Sequence, residues 1–250
     1  MQRLKAMIAY DGTPFYGWQI QKNRPTIQAT VQEALQHICH KKVQVTGAGR
    51  TDTGVHACGQ VAHFDWDHPL SPNKLILAMN GLLPSAIRVL ALETAPPAFH
   101  ARFHARSKSY FYRLNRTRFP GPFALLYSLH YSFPLDQQLL EKCARTIEGE
   151  HDFAAFQATG SDIVSTRRNV LSVELFTRIP EGPHDDFLYI RIHATGFLRK
   201  MMRMLVGTMI EIGAGKRPFE HLPAALESGD RKFVGKPVPA RGLFLERVYY

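Results

Sequence analysis

Apolar and polar residues repeat along this chain with two different periods. Residues 3–10 alternate as a strand does, whereas residues 27–39 place Val31 and Leu35 on one helical face behind a capping residue, Thr26. The same two patterns continue to the end of the sequence. They predict further strands near 42–46, 60–66, 86–93, 104–116, 168–178, 187–194 and 243–249, and further helices at 71–81, 136–146, 197–213 and 218–227.

The order of these elements predicts the α+β class. Each half of the chain has about four strands and at least two helices, and pairs of strands separate the helices. We therefore expect two similar α/β sandwich halves with mainly antiparallel sheets. The predicted domains are residues 1–103, which carry Asp52, and residues 104–250, which carry Tyr110 and a basic helix.

That basic helix, predicted at 197–213, has two contrasting sides. At about 100° per residue, a stripe rich in methionine falls on one side, where core packing is its ordinary role. Arg199, Lys200 and Arg203 fall together on the other side. A solvated surface and a phosphate contact both explain such a cluster, and the lack of acidic residues around it favours the phosphate contact.

Composition narrows the class of protein. The chain has 250 residues, and 45% of them are hydrophobic, which is typical of a folded globular protein. No apolar run approaches the roughly 18 residues of a membrane helix, and no secretion signal is recognisable. The three cysteines form neither a metal-ligand cluster nor an even-numbered disulfide framework. We therefore expect a cytoplasmic protein with reduced thiols and no membrane association.

The net charge of +10 indicates a polyanionic partner. No acidic residue occurs between Glu93 and Asp136, and that interval interleaves arginines and lysines with aromatic residues. Two more stretches, 187–210 and 231–245, also lack acidic residues. Cations bind phosphates and aromatic rings stack on bases, so the pattern favours a nucleic acid. A solvated basic face over core aromatics is the alternative for any single stretch.

The segment GAGRTDTGVHA at 47–57 holds one carboxylate, Asp52, two residues after Arg50. Val43 and Val45 predict the end of a strand before it, so the glycines would hold Asp52 out on a turn. Three interpretations compete. Asp52 is a structural Asx-turn residue, or its DTG triplet is that of an aspartic protease, or it is an ionised carboxylate that acts on an extruded nucleotide.

The protease interpretation is the weakest, because the chain has no second triplet of this kind. Aspartic proteases need two carboxylates that share a proton, whereas the neighbouring Arg50 favours an ionised carboxylate. The structural and nucleotide interpretations both remain open on these residues. In the nucleotide interpretation, Arg50 fills the gap left by the flipped base, and an aromatic residue such as Tyr110 stacks on that base.

Several separated segments resemble the A-type tRNA pseudouridine synthases. The 47–57 segment, continued by GQVAHF at 59–64, is similar to the active-site segment of that family. Further segments match family motifs in the same order along the chain. They are YDGTPFYGWQ at 10–19, TIQ at 26–28, VQEAL at 31–35, FHARF at 99–103 followed by Lys108, Tyr110 and Tyr112, Asp152-Phe153 with Phe156, and GFL at 196–198 with Met202-Arg203 and Val206-Gly207.

The resemblance implies the pseudouridine synthase fold with a central basic cleft. It implies conversion of uridine to pseudouridine at positions 38, 39 and 40 of the tRNA anticodon stem-loop, by a homodimer that uses no cofactor and no metal. Asp52 would be the catalytic aspartate, Tyr110 would pack on the target base, and Arg50 would assist base flipping. The other predicted substrate-binding residues are Lys108, Arg199, Lys200 and Arg203.

Two alternatives remain open at this point. The same basic and aromatic residues would suit an RNA-binding module or RNA chaperone that has no catalytic activity. For an enzyme, the sequence is compatible with attack by Asp52 at C1′ or at C6 of the uridine, and equally with removal of the C2′ proton by Asp52.

Overall fold

The computed structural model describes residues 1–158, 160, 165–177 and 186–250. Within these residues the helices and strands follow one another in mixed order. They are β1 (Gln2–Tyr10), α1 (Ile27–Cys39), β2 (Thr46–Gly47), β3 (His56–Trp66), α2 (Pro72–Leu82), β4 (Ile87–Ala95), β5 (Ser107–Asn115), α3 (Pro122–Leu126), β6 (Leu129–His130), α4 (Gln137–Ile147), β7 (Gly149–Asp152), β8 (Arg167–Thr177), β9 (Phe187–Ala194), α5 (Met201–Gly213), α6 (His221–Ser228) and β10 (Leu243–Tyr249). The α+β class is thus confirmed. None of the described helices is long and apolar enough to cross a membrane.

The chain divides into two compact units, which are Met1–Arg106 with Phe244–Tyr250, and Ser107–Leu243. The last strand therefore lies with the first unit, although the sequence placed it with the second half. Its register explains this position, because Phe244 and Leu245 pair in parallel with the start of β3.

The first unit is built on a sheet in which β1 lies between β3 and β4, antiparallel to both. β2 and β10 also pair with β3, β2 antiparallel near its C-terminal end and β10 parallel at its start. Leu4 and Ile8 of β1 and Phe64 of β3 are almost fully buried, as are Val31 and Leu35 of α1. The predicted bounds of α1 are confirmed, and the Thr26 side chain accepts a hydrogen bond from the helix as an N-cap.

The predicted strand at 42–46 is wrong, since β2 contains only Thr46–Gly47. Helix α1 supplies the partners that a neighbouring strand would have supplied. The Gln28 side chain donates to the Val45 carbonyl at 2.8 Å, and Gln32 Oε1 accepts from the Val45 amide at 3.1 Å. Val45 is fully buried with its backbone satisfied by side chains, a local arrangement that hydrophobic periodicity does not reveal.

The second unit contains the antiparallel strand order β5-β9-β8-β7, with β6 parallel to β5. The β9 bounds are confirmed, and β8 corresponds to the predicted 168–178 strand apart from position 178, which lies outside the described residues. The short elements α3, β6 and β7 were not predicted. Each has at most five residues, too few for a periodic signal.

Helix α5 differs from its prediction in both length and exposure. It begins at Met201, because Lys200 adopts a left-handed conformation with φ 64°. Eleven of its thirteen residues are buried. A Cβ at Gly207 would lie 1.9 Å from the Lys236 carbonyl oxygen, and one at Gly213 would lie 2.8 Å from Leu140 Cδ2. Because α5 is packed on several sides, it is a core helix, and it does not present the amphipathic basic face predicted from its sequence.

Candidate functional site

The Asp52 loop, residues 48–55, connects β2 to β3 in the first unit. The Ala48 amide donates to the Val61 carbonyl at 2.7 Å, which holds the start of the loop against β3. The Val55 amide donates to the Asp52 carbonyl at 3.1 Å, and Gly54 takes φ 75° to complete this turn. Asp52 itself is partly exposed, while Thr51 and Val55 on either side are buried. The carboxylate therefore stands on a turn whose flanking residues are anchored.

The YDGTPFYGWQ segment supports this loop from one side. The Trp18 amide donates to the Thr51 carbonyl at 3.1 Å. A Cβ at Gly17, where φ is +86°, would lie 2.5 Å from that same carbonyl oxygen. A Cβ at Gly12 would lie 2.1 Å from the Val55 carbonyl oxygen. Only glycine permits such close backbone approach at these two positions. The two motifs therefore form one scaffold around Asp52.

A buried hydrogen-bond network connects the Asp52 loop to side chains of β1 and β3. The Tyr10 hydroxyl and Thr51 Oγ1 are 2.8 Å apart, and the Gln60 amide nitrogen donates to the Gly49 carbonyl at 2.9 Å and to the Tyr10 hydroxyl at 3.4 Å. Burial raises the pKa of Tyr10, so its hydroxyl remains protonated. Gln60 is fully buried. This network holds Gly49 and Thr51, the two neighbours of Arg50.

Arg50 is exposed, and its Nε donates to Gln19 Oε1 at 3.2 Å. His56, which follows the loop, is buried; its Nδ1 lies 3.2 Å from the Gly12 amide and 3.1 Å from Asp11 Oδ1. Its ring stacks on Phe244 at 4.6 Å between centroids. His56 is thus part of the scaffold. Within this loop, the charged groups that reach solvent are Asp52 and Arg50.

Tyr110 lies on β5 of the second unit, opposite Ile192 of β9. Its side chain is 8% exposed, and its ring meets the Phe197 ring edge-on at 4.8 Å between centroids. Tyr112, two residues along the same strand, is fully buried and its hydroxyl donates to the Pro239 carbonyl at 2.9 Å. Burial raises the pKa of Tyr112, against the opposing effect of the Arg203 and Arg241 charges. Tyr110 keeps more solvent contact than Tyr112.

The four predicted cationic contacts have different surroundings. Arg199 is exposed, while its backbone carbonyl accepts from the Ala158 amide at 3.0 Å. Lys200 and Lys108 are partly buried. Arg203 lies on α5, and its Nε donates to the Val238 carbonyl at 2.7 Å. Arg203 therefore holds the 238 segment against α5, a role that charge patterning alone does not indicate.

Comparison with known proteins gives a family for this scaffold. Residues 6–106 and 143–250 match the family model described as tRNA pseudouridine synthase. The chain is 39% identical over 250 residues to tRNA pseudouridine synthase A of Geobacillus sp. (strain WCH70), covering 100% of this chain and 98% of that protein. The chain belongs to the tRNA pseudouridine synthase family. It is therefore an isomerase, and the catalytic interpretation is favoured over a non-catalytic RNA-binding module.

Other relatives agree with this family. The chain is 40% identical over 250 residues to tRNA pseudouridine synthase A of Syntrophotalea carbinolica (strain DSM 2380 / NBRC 103641 / GraBd1), covering 100% of this chain and 97% of that protein. Among solved structures, it is similar to the archaeal box H/ACA sRNP Nop10-Cbf5 complex at 12% identity, over 95% of this chain and 58% of that chain. The TM-score of this likeness is 0.32.

The matched ranges of the family model include the Asp52 loop, Arg50 and the segment from Arg199 to Arg203, whereas Lys108 and Tyr110 lie between them. The sequence interpretation assigned no role to Tyr10, Gln19 or Gln60, although all three lie in segments that it recognised. In the described parts of the chain, no group of three or more His, Cys, Asp or Glu side chains is arranged to hold a metal ion.

Proposed function

We propose that this synthase isomerises uridine to pseudouridine at positions 38, 39 and 40 of the tRNA anticodon stem-loop. The observation that carries the proposal is the Asp52 loop, in which a partly exposed carboxylate stands on a turn anchored by buried hydrogen bonds. Family membership and the resemblance of several ordered segments to the A-type enzymes support the choice of tRNA and of these positions.

The reaction breaks the bond between N1 of the base and C1′ of the ribose, and forms a bond between C5 and C1′. The C5 hydrogen leaves as a proton, and N1 gains one, so no oxidant or reductant is consumed. We assign Asp52 as the catalytic carboxylate of this isomerisation, consistent with the covalent chemistry of carboxylates at sugar C1. A uridine inside an RNA helix must first leave the stack to reach Asp52.

Arg50 is proposed to assist that extrusion. Its side chain is exposed, and the Gly49 carbonyl that precedes it is held by Gln60. A guanidinium in this position can occupy the gap left by the base and bind a neighbouring phosphate. Tyr110 is proposed to pack on the extruded base, and Lys108, Arg199 and Lys200 to bind phosphates. Arg203 remains in this proposed set, although its Nε already donates to Val238.

The location and the assembly are also proposals. A tRNA substrate and the absence of a disulfide among the three cysteines favour the cytoplasm. The resemblance to the A-type enzymes supports a homodimer. Sedimentation of the purified protein tests the dimer directly, and a monomer at micromolar concentration would contradict it.

Release of tritium from tRNA labelled at uridine C5 tests the proposed reaction. Substrates should carry uridine at only one of positions 38, 39 and 40, with cytidine at the other two. We expect release from each substrate and none when all three positions are cytidine. Absence of release from every tRNA would contradict the reaction, whereas release from the tRNA with three cytidines would contradict only the assigned positions.

A further inference from the structure

A second cationic and aromatic cluster lies along β3, away from the Asp52 loop. We name residues 99–104, with sequence FHARFH, the FHARFH loop. His63 of β3 is buried and its Nδ1 accepts a hydrogen bond from the Ala101 amide at 3.1 Å. The Asp52 loop joins the other end of β3 at His56, seven residues earlier. At about 3.3 Å per strand residue, roughly 23 Å of β3 separate His56 from His63.

The FHARFH loop presents an aromatic surface to solvent. Phe103 is 73% exposed, and its ring stacks on His100 with 4.2 Å between centroids and 26° between planes. The Arg102 guanidinium carbon lies 5.7 Å from the centre of the Phe103 ring. His100 Nδ1 accepts from the amides of Arg102 and Phe103, both at 3.2 Å. The exposed ring is therefore held in place by its own loop.

The charges around this loop are positive. Arg102, His104 and Arg106 are exposed, and the sequence has no acidic residue from 94 to 135. Burial and the charges of His104, Arg3 and Arg102 lower the pKa of His100. Two acidic residues of the neighbouring strands, Asp65 of β3 and Glu93 of β4, already form ion pairs with Arg3 and Lys5 at 2.8 and 2.9 Å. An anion that approaches Arg102 therefore meets a cationic surface.

We propose that the FHARFH loop binds an unpaired nucleotide of the RNA substrate, with the base stacked on Phe103 and a phosphate on Arg102. This inference rests on the proposed tRNA substrate and extends its contact along β3, from the loop that ends at His56 to the loop bonded to His63, roughly 23 Å away along the strand. An exposed ring beside an arginine is the combination that binds single-stranded RNA, since stacking tolerates any base and the cation binds its phosphate. The contact contributes to binding and takes no part in bond formation.

The test measures dissociation constants of the full-length protein for three RNA probes. They are a tRNA transcript, an oligocytidine of twelve nucleotides that offers no uridine, and a blunt RNA duplex. We expect Phe103→Ala to weaken binding of tRNA and oligocytidine about tenfold and to leave duplex binding unchanged. Phe103→Tyr should restore binding. Phe123→Ala is the matched control, because Phe123 is 81% exposed on α3 of the second unit.

Arg102→Gln should weaken binding of tRNA and oligocytidine and should lower the log–log salt slope by about one unit. Lys74→Gln, at an exposed lysine of α2, is its control. In tritium release, Phe103→Ala should raise KM for tRNA and leave kcat unchanged, because the ring is remote from Asp52.

Unchanged affinity of Phe103→Ala for tRNA and oligocytidine would overturn this inference, and so would an equal loss on the duplex. A change in sedimentation of Phe103→Ala would also overturn it, since the loop would then bind protein. If wild-type protein releases no tritium while Phe103→Ala still weakens RNA binding, the proposed reaction fails and the nucleotide contact stands. If wild-type protein releases tritium and Phe103→Ala binds tRNA and oligocytidine as tightly as wild type does, only the nucleotide contact fails.

Discussion

The Asp52 loop and the segment that begins α5 both carry charged residues recognised from the sequence, yet they are built differently. In the Asp52 loop, backbone contacts and the Tyr10–Gln60 network fix the position of the loop, and the side chains of Arg50 and Asp52 reach solvent. At α5, the Arg203 side chain is itself a structural contact, because it donates a hydrogen bond to the Val238 carbonyl and so fixes the 238 segment. A charged side chain is thus available to a ligand to the extent that other groups support its backbone.

The largest effect on stability is expected where the Asp52 loop meets the glycines of the YDGTPFYGWQ segment. Gly17→Ala adds a methyl group 2.5 Å from the Thr51 carbonyl oxygen at a positive φ, so we expect a loss of about 3 kcal/mol in the free energy of unfolding. Chemical denaturation measures this loss. Gly81→Ala is the matched control, because nothing lies within 4 Å of its added Cβ in α2, and it should be neutral or stabilising. Equal stability of the two variants would show that the loop is not held by this contact.

The buried network should give the next largest effect. Gln60→Leu removes the donor to the Gly49 carbonyl, so we expect a loss of about 2 kcal/mol in stability. Because Arg50 and Asp52 follow Gly49, kcat for tritium release should fall while the affinity for tRNA stays within threefold. Gln44→Leu, at an exposed glutamine, should change neither quantity. Full activity of a folded Gln60→Leu variant would show that catalysis does not depend on this network.

Substitutions at two arginines of the second unit should affect different properties, protein stability for Arg203 and the salt dependence of tRNA binding for Arg199. Arg203→Gln removes the bond to Val238, so we expect a stability loss of about 1.5 kcal/mol. Arg199→Gln should leave stability unchanged and lower the log–log salt slope of tRNA binding by about one unit, because the Arg199 side chain is exposed. Thermal unfolding and salt titration of both variants measure the contrast. Loss of salt dependence in Arg203→Gln without loss of stability would contradict a structural role for the Arg203 bond to Val238.

The smallest effect is a dependence of stability on pH that arises in the first unit. Burial and the charges of His100 and Arg3 lower the pKa of His63 to about 4, below its ordinary value of 6.5. The unfolded chain therefore binds more protons between these values, so stability should be complete above about pH 6.5 and should fall as pH decreases towards 4. We expect about 1 kcal/mol less stability at pH 5.5 than at pH 7. His63→Gln should flatten this interval, and an unchanged slope would exclude His63 as its source.

Elements with a clear period were predictable from the sequence, and those held by side chains were not. The period of 3.6 in residues 27–39 gives α1 its observed bounds. The 42–46 prediction failed because Gln28 and Gln32 satisfy the Val45 backbone across space. The predicted end of α5 at 213 is confirmed, but its predicted start at 197 is wrong, because Lys200 has a positive φ and the helix begins only at Met201.

The candidate site was predictable to a similar extent. The unusual residues of the Asp52 loop, in a chain of +10 charge, identify the carboxylate and its arginine. The supporting residues Tyr10 and Gln60 are 50 positions apart in sequence, and they meet only because β1 pairs with β3. Local sequence patterns contain no information about such a contact, so the role of Tyr10 and Gln60 is visible only in the folded structure.

The most direct test of the catalytic role of Asp52 is single-turnover tritium release by Asp52→Asn with enzyme in excess over labelled tRNA. Asparagine keeps the size of the side chain and removes its charge, and Thr53→Ala in the same turn serves as the control. We predict that Asp52→Asn binds tRNA as wild type does and releases tritium at least about 10³-fold more slowly. A rate within tenfold of wild type would contradict the assignment of Asp52 as the catalytic carboxylate.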